Sequence, residues 1–142
     1  MPYTRMVIEE SMRFYPAVAG IPRHAVAPDE IGGYRVRANS QVWLSPYVTH
    51  HHPDFWDRPE VFDPERFTPE RAASRPRYAY FPFGGGPHQC IGNTFSMMEA
   101  HLILATVAQR YRLRLAPGSQ VTPKVVLAVQ PRGLRMLVEK RR

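Results

Sequence analysis

Cysteine is almost missing from this sequence: its 142 residues include one, Cys90. An internal disulfide is therefore excluded, and no zinc-type spacing of cysteines and histidines occurs. No run of about 18 apolar residues is present, so nothing in the sequence reads as a transmembrane helix. No charged-then-apolar leader opens the chain, so no secretory signal is visible. Acidic residues are in deficit, 12 Asp and Glu against 19 Lys and Arg, for a net charge of +7. Lysine itself is rare, with only Lys124 and Lys140, so the positive charge is carried by arginine. Such a balance first suggests nucleic acid, but the arginines are scattered and no recognition helix or stacking motif accompanies them. A basic face for an acidic electron-transfer protein remains open, as does a merely solvated arginine-rich surface.

Proline and glycine are plentiful, at 15 and 9 residues, which predicts long irregular segments between few regular elements. The size allows one domain with a modest core. Tyr3 to Phe14 reads as a helix stopped by Pro16. His24 to Ser45 reads as strands separated by turns at Gly32-Gly33 and Asn39-Ser40. Ser45 to His51 suits a short helix ended before Pro53. Residues 53–87 show no sustained period, and their aromatic content argues for an ordered meander. From Asn93 to about Arg110 the residues Phe95, Met98, Leu102, Ala105 and Ala108 recur at helical spacing. Tyr111 to Val138 alternates and reads as two or three short strands. His50-His51-His52 reads as a solvated polar patch at a helix end, because three adjacent histidines on a short element cannot all face one ion.

The segment Phe83-Gly84-Gly85-Gly86-Pro87-His88-Gln89-Cys90-Ile91-Gly92 carries the chemistry. A cysteine binds a metal as the thiolate, and the positive end of the helix after Cys90 favours that form. Flanking glycines let backbone N–H groups approach the sulfur, where hydrogen bonds tune its electron donation. An inert cysteine in a glycine-rich turn is the alternative. A nucleophilic cysteine is another, although no oxyanion-stabilising arrangement accompanies His88 and Asn93.

This segment resembles the haem-binding signature of the cytochrome P-450 family, Phe-x-x-Gly-x-His-x-Cys-x-Gly, at Phe83, Gly86, His88, Cys90 and Gly92. Two further motifs stand in the family's order. Glu10-Ser11-Met12-Arg13 resembles its Glu-x-x-Arg helix, and Pro64-Glu65-Arg66-Phe67 its downstream arginine motif. The resemblance covers essentially the whole chain. It implies a mainly α fold with a small β region, of which residues 1–142 are a C-terminal α+β part. The first helix corresponds to the family's K helix and the helix after Cys90 to its L helix.

The resemblance further implies heme b with Cys90 as axial thiolate, a ligand type that pushes electron density toward O–O cleavage. Phe83, Gly84 and Gly92 fall in the cofactor-binding loop. His88 and Arg23 stand where the family contacts haem propionates. Glu10, Arg13 and Arg66 stand where it forms a buried, structural ion-pair network. Val18, Ala19, Val126 and Leu127 fall where family members touch substrate. Arg37 stands where many members place Pro. The implied reaction inserts one atom of O2 into a small hydrophobic substrate, with electrons from a ferredoxin- or flavoprotein-reductase-like protein. Members acting on oxygenated lipids by isomerisation or dehydration are not distinguished by these residues. No residue beyond the haem ligand is assignable to catalysis, because the family's long helix above the haem has no counterpart here. Two expectations follow: a monooxygenase portion complemented by upstream residues, or a truncated, non-catalytic fragment that binds haem poorly. A cytoplasmic location is expected if the source is bacterial, with any membrane anchor lying N-terminal to this sequence.

Overall fold

The computed structural model describes residues 1–125 and 128–141. Val126 and Leu127 lie outside the described residues. Helix α1 spans Pro2–Phe14, with Pro2 in the first turn and Arg13 in the last. Proline suits that first turn because its missing N–H would have no helical partner there. Strands β1 (Ile21–His24) and β4 (Gln41–Leu44) pair antiparallel, Ile21 opposite Leu44. Between them β2 (Asp29–Ile31) and β3 (Tyr34–Val36) form a second antiparallel pair. The hairpin turn is made by Gly32 and Gly33, both at positive φ, a conformation glycine adopts without steric cost.

Helix α2 spans Pro46–Thr49; the Ser45 side chain accepts from the Val48 N–H at 3.2 Å and donates to the Ala19 carbonyl at 3.0 Å. The meander is ordered, as its aromatics predict. It contains a 3-10 helix at Pro64–Phe67 and a short helix α3 (Pro69–Ala73) that its composition does not announce. Trp56, Phe67 and Tyr80 pack together, with Phe67 and Tyr80 rings 4.8 Å apart. Arg75 lies over Trp56 at 4.3 Å and Phe67 at 4.9 Å, and also donates to the Arg66 carbonyl. A second 3-10 helix, Gly86–His88, leads into α4 (Asn93–Arg110).

Among the described residues the tail holds four strands rather than two or three. β5 (Tyr111–Leu115) pairs with β8 (Met136–Lys140), enclosing the pair β6 (Thr122–Val125) and β7 (Val129–Arg132). The buried core is small: among the described residues, α1 and the meander contribute Ile8, Trp56, Phe67 and Ala79 together with the buried polar side chains of Glu10, Arg13, His50 and Arg66, and β7 contributes Val129. The apolar repeat of α4 makes a helix but not a buried face. Phe95, Met98, Leu102 and Ile103 are each more than half exposed, because no described element covers them. No described helix is long and apolar enough to cross a membrane.

Candidate cofactor-binding site

The cysteine loop is built by main-chain hydrogen bonds. Gly84 donates to the Phe81 carbonyl at 3.0 Å, Gln89 to Gly86 at 3.2 Å, and Cys90 to Phe83 at 2.9 Å. Gly84 and Gly86 have φ of 72° and 66°, where a side chain would be strained. Gly85 is extended, and its glycine identity has another cause: a Cβ there would meet Tyr78 Cε1 at 2.7 Å. The loop delivers Cys90, which is exposed, to the start of α4. A Cβ on Gly92 would lie 3.7 Å from Cys90 Sγ, so the chain turns into the helix close beside the sulfur.

Arg23 extends from β1 toward the same loop. A cavity of about 430 Å³ is lined by Arg23, Ile21, Leu44, Phe81 and the glycines 84–86. Thr49 and Tyr78 complete its lining. Gly84 also lines a cleft of about 610 Å³ shared with α1 and α4, so the loop is a thin partition between two hollows. Cys90 and His88 lie outside the 430 Å³ lining, and His88 is exposed. Val18 is exposed, and Ala19 is half-buried with its carbonyl held by Ser45. Among the described residues no group of three His, Cys, Asp or Glu could hold a bare metal ion.

Beneath the loop, the structure brings Glu10, Arg13 and Arg66 together. Arg13 Nε donates to Glu10 Oε2 at 2.8 Å and Nη2 to Oε1 at 2.9 Å, a two-pronged pair. Arg66 Nε lies 3.5 Å from Glu10 Oε1, and the Asp63 N–H donates to that oxygen at 2.8 Å. The guanidiniums then reach main-chain carbonyls: Arg13 those of His50 and Pro59, Arg66 those of Arg58 and Val61. Glu10, 53 residues before Asp63, thereby holds the meander to α1.

One expectation fails outright. His50 is not part of a solvated patch; its side chain is fully buried. The reason is that α2 is one turn long and its end faces inward, where Trp56, Tyr80 and Phe81 close over the ring. His51 and His52 stay partly exposed. Burial lowers the His50 pKa to about 4, with the charges of Arg13 and His51 adding to the effect. Tyr80, whose phenol burial holds well above its usual value, donates to the Glu9 carbonyl at 3.0 Å.

The model of the cytochrome P-450 family matches residues 1–138. The chain belongs to the cytochrome P-450 family. Cyclooctatin synthase of Streptomyces melanosporofaciens is 41% identical over 141 residues, 99% of this chain and 31% of that protein. Thromboxane-A synthase of Mus musculus is 36% identical over 85% of this chain and 23% of its own length. Among solved structures, retinoic-acid-bound cyanobacterial CYP120A1 superposes with a TM-score of 0.95 at 33% identity, covering 99% of this chain and 34% of that one. The haem domain of cytochrome P450DA gives 0.93 at 31% identity, over 98% and 31% of the two chains. The chain thus spans about a quarter to a third of the length of the relatives it matches, and its architecture is that part of the cytochrome P-450 fold. The family's cofactor is haem, and the donor set fits it: one exposed thiol at a helix start, a glycine loop admitting close approach, and an apolar cavity edged by an arginine. An arginine fork there suits a carboxylate-bearing planar group.

Proposed function

We propose that residues 1–142 are the C-terminal part of a single cytochrome P-450 domain that acts as a haem-thiolate monooxygenase, with Cys90 as the iron ligand. The observation that carries this reading is the loop itself: Cys90 is tied back to the Phe83 carbonyl and set, exposed, at the start of α4. Bound there, haem would supply activation of O2 and transfer of one oxygen atom to a hydrophobic substrate, with two electrons from a redox protein. The chain's own residues bind and orient. Phe83, Gly84 and Gly92 shape the approach to the sulfur. Arg23 offers a cation, and His88 in the loop a ring N–H, for the propionates. Val18 and Ala19 would contact substrate in this reading, as would Val126 and Leu127, which lie outside the described residues. The Glu10–Arg13–Arg66 network keeps the meander, and with it the loop, against α1.

An acidic ferredoxin- or flavoprotein-reductase-like protein suits the basic surface as electron donor. Nucleic acid is not a partner in this reading. A soluble, cytoplasmic enzyme is the reading that accompanies a bacterial source. The uncovered face of α4 favours a second reading for the chain by itself, as a non-catalytic fragment that holds haem poorly.

A carbon-monoxide difference spectrum of the reduced, haem-loaded protein tests both. The red-shifted thiolate band, lost in Cys90→Ser, is the expected result. The same band in wild type and Cys90→Ser would overturn the assignment of Cys90. Only a blue-shifted band in the isolated chain, with the thiolate band in the whole protein, would favour the fragment reading.

A further inference from the structure

The three adjacent histidines diverge, and only one turns inward. His51 Nδ1 meets the Tyr47 carbonyl at 2.8 Å, and His52 lies beside Phe55 and, at 3.8 Å, Asp54. His50 instead joins three elements. Its N–H donates to the Pro46 carbonyl within α2 at 2.8 Å. Its carbonyl accepts from Arg13 Nη1 at 2.8 Å, which connects it to the ion-pair network. Its ring Nε2 accepts the Phe81 N–H at 3.0 Å. From Phe81 the loop closes on itself through Gly84 N–H to Phe81 O and Cys90 N–H to Phe83 O.

We propose that His50 is a positioning residue for the cysteine loop, its neutral ring fixing the Phe81 amide and thereby the backbone that presents Cys90. The spectroscopic consequence rests on the haem-thiolate reading; the positioning itself does not. Accepting through Nε2 requires the proton on Nδ1, which faces the main chain of Met12 and Arg13 at the end of α1. The charged and titratable groups facing the ring are Arg13 from α1, His51 from α2 and Tyr80 from the meander. Burial above all, with the charges of His51 and Arg13 adding to it, disfavours a second proton and outweighs the main chain at Met12 and Arg13, so the acceptor is maintained. A side chain that only filled the space among Trp56, Tyr80 and Phe81 would leave the Phe81 N–H buried and unpaired.

Two variants separate acceptor from filler. His50→Gln carries an oxygen at the reach of Nε2, and His50→Leu carries none. Hydrogen–deuterium exchange of the whole protein reads the Phe81 amide and residues 83–90 with or without haem. In His50→Leu, exchange there rises about tenfold or more, while α1 and Pro64–Phe67 stay within about twofold of wild type. His50→Gln restores protection at Phe81. In the haem-loaded protein, His50→Leu moves the reduced carbon-monoxide complex from the thiolate band toward the blue-shifted band, and His50→Gln keeps the thiolate band.

Equal exchange in both variants, whether unchanged or raised throughout, would overturn the proposal. If the leucine variant does not fold, the glutamine variant decides alone: a protected Phe81 amide supports the proposal and an unprotected one overturns it. Absence of a thiolate band in the wild type would sink the haem-thiolate reading and leave the exchange result standing.

Discussion

At the scale of single residues, the most exacting chemistry is a buried carboxylate shared by two arginines. Glu10 accepts from Arg13 twice and from the Asp63 amide, and faces Arg66 at 3.5 Å, with no exposure to water. Breaking such a pair strands the partner's charge, which outweighs the modest net worth of the pair itself. Glu10→Gln is therefore expected to cost about 3–5 kcal/mol, read as a lower urea midpoint at unchanged slope. The double variant Glu10→Gln/Arg13→Met removes both sides and should cost less than the two singles summed. Gly85 makes a separate prediction. Gly85→Ala would press a methyl onto Tyr78 and destabilise by about 1–3 kcal/mol, measured the same way. The three-residue spacing put Glu10 and Arg13 on one helix face, but their burial with Arg66 was legible only through the resemblance to the family's motifs. His50 was not legible, because two further histidines and a helix end make it look solvated. Its burial is decided by Trp56, Tyr80 and Phe81, which are distant in sequence or unconstrained by any period.

At the scale of elements, α1 and α4 were readable because proline stops one and a helical apolar repeat runs through the other. The meander was readable only as ordered, because cation–aromatic stacking has no period to follow. Arg75 shows why: its guanidinium lies over two rings and also donates to the Arg66 carbonyl, three contacts set by a chain that crosses itself. Its pKa is lowered by burial and by Arg71 and Arg66, so the stack gathers like charges at a cost that the rings and the carbonyl offset. Arg75→Ala should lower stability by about 1–2 kcal/mol, seen in thermal melting followed by circular dichroism. Arg75→Lys should recover only part of it, since a compact ammonium cannot lie flat on both rings. The extra strands of the tail escaped the sequence for a related reason. β5 and β8 pair from the two ends of the tail, outside the β6–β7 pair, and alternation along the sequence does not say which strand finds which.

At the scale of the whole molecule, stability is concentrated between α1 and the meander, while α4 presents Phe95, Met98, Leu102 and Ile103 outward. In the proposed reading, the rest of a cytochrome P-450 domain would cover that apolar face. His50 sets the protein's response to acid. Burial depresses the folded-state pKa to about 4, below the ordinary value of 6.5, so between those two pH values the unfolded chain binds more protons than the folded one. Stability therefore rises with pH across that window, and the contribution is complete above about pH 6.5. Acidification from pH 6.5 to 4 should remove about 3 kcal/mol through this residue alone. Urea midpoints measured at several pH values for wild type and His50→Gln isolate the effect, because glutamine keeps an acceptor but does not titrate. The wild type should lose stability more steeply than the variant through the window, and parallel curves would place the acid sensitivity in groups other than His50.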